Sequence, residues 1–254
     1  MKKISQVKSI LLTILLVAVC VQVYAQAGAK EYYELRVYEL KGNRTVFDNY
    51  LSKALIPYLN KSGVGHVGVF NEISKSEPFR VYVLIPYPSI EAYGSILNNM
   101  QKDEDYQKAS EEYNRVAVDQ PSYWRYESSF MVAFDGLPKH VVPAAGSKLF
   151  ELRIYEGYSD DAVRRKVKMF NEGEFDIFKR TNLNSVFFGE NVSGKNLPCL
   201  TYMISFKNME EREANWKKFI DDPEWKRISK LPEYANTVSK IHKIFLEPTS
   251  YSQL

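Results

Sequence analysis

The sequence predicts an α+β fold made of two tandem units, each with the element order β-α-β-β-α-β. Three observations lead to this prediction. The octapeptide YELRVYEL at 33–40 returns as FELRIYEG at 150–157, and such a repeat indicates a duplicated structural unit. The same succession of helical and strand-like patterns follows each octapeptide. A segment rich in Gly, Pro and Ala, DGLPKHVVPAAGSK at 135–148, has the composition of a linker between the units.

In the first unit, alternation in the octapeptide predicts a strand. Apolar residues between Val46 and Leu59 then recur at the spacing of a helix, which Pro57 should bend and Gly63 should end. Ser89 opens a second helical region, which is followed by the acidic break KDEDYQKA. The three remaining strands are predicted from β-branched and aromatic content, at VGHVGVFNE (64–72), FRVYVLIPY (79–87) and SSFMVAF (128–134).

The second unit repeats this order. Ser159 caps a charged helix, and Asn208 opens the second helical region, which is followed by DDPEWKRI at 221–228. Trp216 and Trp225 have helical spacing there and are predicted to pack in the core. The matching strands are predicted at LNSVFFGEN (183–191), CLTYMISFK (199–207) and KIHKIFLE (240–247).

This order is the split βαβ, or ferredoxin-like, arrangement, in which both helices cover one face of a four-stranded antiparallel sheet. The other face needs a cover. Two units in one chain can provide it by packing sheet to sheet, as an intramolecular pseudo-dimer or closed barrel. We therefore place the first domain at 30–136, a linker at 137–148 and the second domain at 149–254.

The N-terminus reads as a signal peptide, residues 1–25. Three lysines precede an apolar run from Ile10 to Val23, and small residues stand at the −3 and −1 positions before a cleavage site after Ala25. The run is too short for a membrane span. Cys20 raises a lipoprotein alternative, but Val19 before it does not suit lipoprotein processing. We expect a periplasmic or extracellular protein.

Cleavage would change the charge balance. The chain has 34 Lys and Arg against 31 Asp and Glu, and the signal holds three lysines and no acid, so 31 of each sign remain. A neutral mature chain gives no support to binding of nucleic acid or of a membrane surface. Cys199 would be the one cysteine left, and we interpret it as a buried small apolar residue.

The octapeptides carry the candidate ligand-binding residues. Because side chains alternate along a strand, Leu35 and Val37 share one face, which suits the helices. The first polar row (Glu34, Arg36 and Tyr38) and the second polar row (Glu151, Arg153 and Tyr155) are then predicted to point between the sheets. In one interpretation the arginines bind an anionic or enolic oxygen, the tyrosines donate hydrogen bonds or stack, and a glutamate acts as a base. In the other, Glu and Arg only pair with each other and fix the strand register.

Other candidates are fewer. His66 lies in a predicted strand between glycines, as a pocket residue or as an ordinary hydrogen-bonded residue. Tyr82, Tyr202 and Phe206 on central strands could line the space between the sheets. The three histidines have no paired spacing, and the sequence has no HExxH, CxxC, P-loop or GxSxG motif. No metal site, nucleotide site or serine hydrolase site is therefore expected.

These motifs resemble the NIPSNAP family of the dimeric α/β-barrel superfamily. The resemblance rests on ELRVYEL and ELRIYEG, on DPEWKRI at 222–228 with Trp216 and Phe219 before it, and on LEPTSYS at 246–252. It covers residues 31–252. The first copy departs from the pattern, since Asp105-Tyr106 stands where the second copy has Glu-Trp.

The resemblance implies the fold and a pocket, but no reaction. The superfamily includes cofactor-independent monooxygenases, haem-degrading enzymes and chlorite dismutases. We expect an exported protein that binds a small aromatic or carbonyl-bearing molecule between its sheets. The alternatives are a monooxygenase-like enzyme and a non-catalytic oligomerisation or interaction module with a filled interior. No cofactor is expected, with haem as an alternative, and a homo-oligomer is open.

Overall fold

The computed structural model describes residues 29–73 and 77–254, in which eight strands form a closed antiparallel barrel. The strands are β1 (Tyr32–Leu40), β2 (Gly68–Glu72), β3 (Arg80–Tyr87), β4 (Tyr123–Ala133), β5 (Leu149–Glu156), β6 (Asn184–Ser193), β7 (Cys199–Phe206) and β8 (Lys240–Pro248). Their order around the barrel is β1-β3-β2-β8-β5-β7-β6-β4. Each half therefore supplies a sheet with the predicted ferredoxin-like order, and the predicted fold class is confirmed.

Two seams join the halves. Strand β2 pairs with β8, where Asn71 lies opposite Glu247, and β4 pairs with β6, where Val132 lies opposite Glu190. A four-stranded sheet alone would expose two edges with unpaired backbone groups. Each edge is instead hydrogen-bonded to the other half of the same chain.

The helices lie outside the barrel, two groups in each half. They are α1 (Arg44–Asn49), α2 (Ile56–Lys61), α3 (Ile90–Met100), α4 (Glu104–Ala109), α5 (Glu111–Asn114), α6 (Asp160–Met169), α7 (Phe175–Thr181), α8 (Met209–Asp221) and α9 (Pro223–Ile228), with a 3₁₀ turn at Pro232–Tyr234. The predicted caps are present: Ser89, Ser159 and Asn208 each accept a hydrogen bond from the backbone N–H three residues on. No helix among the described residues is long and apolar enough to span a membrane.

A π-helical turn interrupts the long helix of each half, at Tyr50–Leu55 between α1 and α2 and at Phe170–Glu174 between α6 and α7. Pro57 follows the first of these turns, at the start of α2. The helical path continues through Pro57, since the wider turn before it accommodates a residue that cannot donate the usual hydrogen bond.

Three apolar cores result. One lies between sheet and helices in the first half, one lies between sheet and helices in the second half, and the third fills the barrel interior. In the first part of β1 and β5 the inward side chains are aliphatic or aromatic, namely Tyr33, Leu35, Phe150 and Leu152.

Some sequence predictions need correction. Strand β2 begins at Gly68 rather than at 64, so His66 is an exposed loop residue with a left-handed backbone (φ 57°) and not a strand residue. Strand β4 begins at Tyr123, five residues before the predicted start at 128. The signal peptide and its cleavage after Ala25, with Cys20, lie outside the described residues.

Candidate functional site

The two polar rows face the helices, not the space between the sheets, so the predicted orientation is wrong. Leu35 and Leu152 point into the barrel, whereas Tyr38 and Tyr155 belong to the cores under the helices. The physical reason is that the barrel interior is surrounded only by strands. On the helix side, strand groups in the first half and helix side chains in the second half supply the donors that satisfy the buried carboxylate, and the helix-facing row therefore tolerates charge better.

In the first half this row is closed on itself. Arg36 donates from Nε to Glu34 Oε1 at 2.7 Å and from Nη2 to Oε2 at 2.9 Å. Ser128 Oγ and the Tyr87 hydroxyl donate to the same carboxylate at 2.8 and 3.0 Å. Burial opposes ionisation of Glu34, but Arg36 and the two hydroxyls outweigh it and hold the pKa of this carboxyl below its usual range.

Aromatic rings fill the space above the first polar row. Tyr50 stacks on Tyr113 with ring centroids 3.7 Å apart, and its hydroxyl lies 3.2 Å from that of Tyr106. Tyr38 packs edge-on against Phe47. The alternative interpretation of the Glu-Arg pair, as an internally satisfied structural pair, therefore describes the first half.

In the second half the glutamate of the polar row is hydrogen-bonded to a helix and not to the arginine of its own row. Arg212 of α8 donates to both oxygens of Glu151, at 2.9 Å from Nε and 3.1 Å from Nη2, and Trp216 Nε1 donates at 2.9 Å. Arg153 Nη1 stays 3.4 Å from Glu151 Oε1. Its buried Nε has no hydrogen-bond partner in the described part of the chain.

Helix sequence explains this difference between the halves. Counted from the helix caps, Arg212 and Trp216 stand four and eight residues after Asn208, and the first half has Tyr93 and Leu97 four and eight residues after Ser89. The first half thus lacks both donors, and Glu34 is left to pair with its own arginine. Counting from the caps is the signal by which Arg212 could have been found in the sequence.

The freed Arg153 borders a cavity of about 450 Å³ between the second-half sheet and helices α6 to α9, here called the helix-side cavity. Its guanidinium carbon lies 4.3 Å from the Trp216 ring centroid and 5.3 Å from that of Tyr155. Two further cations, Arg212 and Lys243, line it as well. The rest of the wall is largely aromatic and apolar, apart from the ion pair described next, and includes Phe178, Tyr202, Phe219, Trp225, Ile220, Val238 and Ile241. Trp216 and Trp225, predicted as core residues, therefore line a cavity as well.

A buried ion pair, Lys166 with Glu174, forms another part of the wall. The π-helical turn adds one residue to the path, so the eight-residue separation approximates two α-helical turns and both side chains share one face. Burial raises the pKa of the Glu174 carboxyl, and Lys166 opposes this effect only in part. Neither residue stands out in the sequence, because both lie on the helix and not in the repeated strand.

The hydroxyls of Tyr155 and Tyr202 are 2.9 Å apart and hydrogen-bonded. Burial raises the pKa of both tyrosines, so both are protonated at neutral pH. Together with Arg153 they give the cavity a small group of donors on a flat aromatic wall. Such a combination suits a planar molecule with one anionic or carbonyl end.

The predicted site residues are thus divided among several places. Arg153, Tyr155 and Tyr202 line the helix-side cavity, and Glu151 lies behind it. Tyr82 is in the barrel interior, where its hydroxyl donates to Glu72 at 3.1 Å. His66 is elsewhere, with its ring 5.4 Å from that of His140. Among residues 29–73 and 77–254 no cluster of three or more His, Cys, Asp or Glu could hold a metal ion.

The NIPSNAP family profile matches residues 150–253, the half that carries the helix-side cavity. A NIPSNAP-like domain protein from Burkholderia xenovorans covers 42% of this chain and 90% of its own length, at 18% identity and a TM-score of 0.39. No curated protein matches the chain.

Two solved structures resemble nearly the whole chain. A candidate monooxygenase from Fusobacterium nucleatum is 12% identical over 87% of this chain and 93% of its own, with a TM-score of 0.55. A second candidate monooxygenase, from Lactobacillus acidophilus, is 10% identical over 86% of this chain and 94% of its own, with a TM-score of 0.58. At these identities the likeness shows the fold alone.

Proposed function

Residues 150–253 form a NIPSNAP domain, and on that premise we propose that the protein binds a small, planar, anionic or carbonyl-bearing molecule in the helix-side cavity. The carrying observation is Arg153, which is 6% exposed and has an unpaired Nε beside a cavity of about 450 Å³. A buried guanidinium without a full set of acceptors is costly to the fold. A ligand carboxylate or enolate would complete it.

The aromatic wall supports the choice of ligand class. Trp216, Trp225 and Tyr202 offer flat apolar surfaces, and cavities of this volume accommodate small organic ligands. The site lies between sheet and helices of the second half, which differs from the inter-sheet position expected from sequence.

Calorimetric titration with phenylpyruvate tests the proposal, since this probe combines a ring, a carbonyl and a carboxylate. We expect saturable binding that Arg153→Gln weakens at least about tenfold, because a charge-assisted hydrogen bond contributes about 1.5–3 kcal/mol. Arg164→Gln is the matched control, since Arg164 is an exposed arginine on α6 and should leave the affinity unchanged. Equal affinities of wild type and Arg153→Gln would contradict the proposal.

A second candidate is an enzyme that moves a proton next to a carbonyl, the first step of a monooxygenase-like or isomerase-like reaction. Glu174 favours it, because a raised pKa suits a general base. Glu174 would take the proton and Arg153 would stabilise the enolate. Deuterium exchange at the methylene of phenylpyruvate, followed by NMR, should exceed the buffer rate and fall to it in Glu174→Gln. Oxygen uptake would then distinguish oxygenation from isomerisation.

We propose that binding occurs without haem. The wall of the helix-side cavity contains no histidine or cysteine among the described residues, and these are common axial ligands of haem iron. Added haemin should therefore produce no Soret shift. The third alternative, an interaction module with a filled interior, would leave both the cavity and the unpaired Nε of Arg153 without a role.

Export remains part of the proposal. The N-terminal basic, apolar and small-residue regions support cleavage after Ala25. N-terminal sequencing of the exported protein should begin at Gln26, and a protein that begins at Met1 would contradict this. Native mass spectrometry of the same sample reports bound molecules and any homo-oligomer.

A further inference from the structure

The barrel interior is closed at one end and open at the other. Strand pairing places inward side chains in layers, since Leu35 lies opposite Leu84 of β3 and Leu152 lies opposite Ile244 of β8. Toward the start of β1 and β5 the layers are large and fully packed. Tyr33, Phe150, Phe187 and Met203 are at most 1% exposed there.

Toward the other end of β1 and β5 the packed apolar layers end before the strands do. A second cavity of about 440 Å³, here called the barrel cup, occupies this end. Leu35 and Leu152 form its buried floor, and Val37, Ile154 and Ile244 form apolar walls that are only half-buried. Apolar side chains inside a barrel are normally covered by neighbouring layers. Here no further apolar layer from residues 29–73 and 77–254 covers them, and the ring above is polar.

That ring carries an excess of positive charge. Four cations line the cup, Arg80, Arg125, Lys195 and Lys240, against the two carboxylates of Glu39 and Glu127. Both carboxylates are already engaged: Lys195 Nζ is 2.6 Å from Glu127 Oε1, and Arg80 Nη2 is 3.6 Å from Glu39 Oε1.

The other two cations are free to meet a ligand. Arg125 Nη1 donates to the backbone oxygen of its neighbour Trp124, and within residues 29–73 and 77–254 neither Arg125 nor Lys240 forms an ion pair with a carboxylate. The nearby Glu156 is engaged by His242, whose Nε2 lies 2.5 Å from Glu156 Oε1.

We propose that the barrel cup binds an anionic amphiphile, with its hydrocarbon body against Leu35, Ile154 and Ile244 and its carboxylate or similar head between Arg125 and Lys240. An apolar pocket with a few convergent charges at its mouth is the usual form of such a site. The cup is separate from the helix-side cavity. Side chains alternate along β5, so Leu152 and Ile154 point into the cup while Arg153 and Tyr155 point to the helices.

Decanoate is the probe, titrated by calorimetry into the full chain, with acetate as the control without a tail and decyltrimethylammonium as the control with the opposite charge. We expect saturable binding of decanoate alone. Ile154→Trp fills the cup and should weaken decanoate at least about tenfold, since a bulky side chain excludes the hydrocarbon body. Lys240→Glu, at an exposed position, should weaken it about tenfold and favour decyltrimethylammonium.

Arg153→Gln separates the two sites and should leave decanoate binding unchanged. The proposal is overturned if decanoate shows no saturable binding, if Ile154→Trp and Lys240→Glu both bind it as the wild type does, or if only Arg153→Gln weakens it. The last result would place decanoate in the helix-side cavity. Should Ile154→Trp fail to fold, the comparison of Lys240→Glu with Arg153→Gln still decides between the sites.

Discussion

Replacing the two corresponding arginines should have unequal effects on stability. In Arg36→Met the carboxylate of Glu34, which is 4% exposed, loses both charge-assisted hydrogen bonds from Nε and Nη2. The hydroxyls of Ser128 and Tyr87 remain, but neither carries a positive charge. A buried ion left without its partner costs about 3–5 kcal/mol, so we expect a loss of that size in the free energy of unfolding.

In Arg153→Met the carboxylate keeps its partners. Glu151 still accepts from Arg212 and Trp216. Removing the unpaired Nε of Arg153 relieves about 1–3 kcal/mol of desolvation, which offsets about 0.5–2 kcal/mol of lost stacking on Trp216. The net change should therefore lie between a loss of about 1 kcal/mol and a gain of about 2.5 kcal/mol in the free energy of unfolding.

Urea and thermal unfolding of both variants measure the contrast. A difference of at least about 2 kcal/mol corresponds to roughly 4–8 °C in Tm for a chain of this size. Arg164→Met reports the effect of removing an exposed arginine and serves as the baseline. Equal losses in the free energy of unfolding of Arg36→Met and Arg153→Met would refute the reasoning that Glu34 depends on Arg36 while Glu151 does not depend on Arg153.

Three further predictions concern other groups. In Arg212→Tyr the carboxylate of Glu151 loses its charged helix partner and should pair with Arg153 instead. Arg153 would then be engaged, and calorimetry should show that the affinity for phenylpyruvate falls about tenfold although Arg153 is still present. The pKa of the Glu34 carboxyl is held below its usual value of 4.5. Its ion pair therefore stabilises the fold fully above pH 4.5, and this contribution is lost as the pH falls through the lower pKa of the folded state. The Tm gap between wild type and Glu34→Gln should therefore be larger at pH 7 than at pH 3, and a constant gap would count against it. Burial raises the pKa of Cys199 to about 11, so in Cys20→Ser protein at pH 8 a disulfide reagent should react slowly until urea is added, and rapid reaction of the folded protein would contradict this.

The repeat and the caps were sufficient to predict the fold. Octapeptide alternation located β1 and β5, and Ser89, Ser159 and Asn208 located three helix starts, because these signals act over a few residues. The start of β2 was missed because Val64 to Val67 has strand-like composition, while His66 adopts a left-handed backbone that ends any extended pairing.

The side of the sheet on which the polar rows lie could not be predicted from these local signals. Alternation separates Leu35 from Arg36 but does not say which side is the interior. That depends on partners distant in sequence, such as Arg212, which is 61 residues from Glu151. The helix-side cavity also depends on partners distant in sequence, since Arg212 and Trp216 engage Glu151 and leave the Nε of Arg153 unpaired beside it. Lys166 and Glu174 line this cavity together because a π-helical turn brings both side chains to one face of the helix, and no sequence pattern marks that turn.

The seams between β2 and β8 and between β4 and β6 have a consequence for how such a protein can change. In a barrel formed by two identical chains, every substitution appears twice, and a change that closes one site closes both. Covalent fusion removes that constraint, because each half has its own residues at every position. Here the first half could place Tyr93 and Leu97 where the second half has its two donors and fill its helix side with aromatic rings, while the second half kept Arg153 with an unpaired Nε on the same architecture.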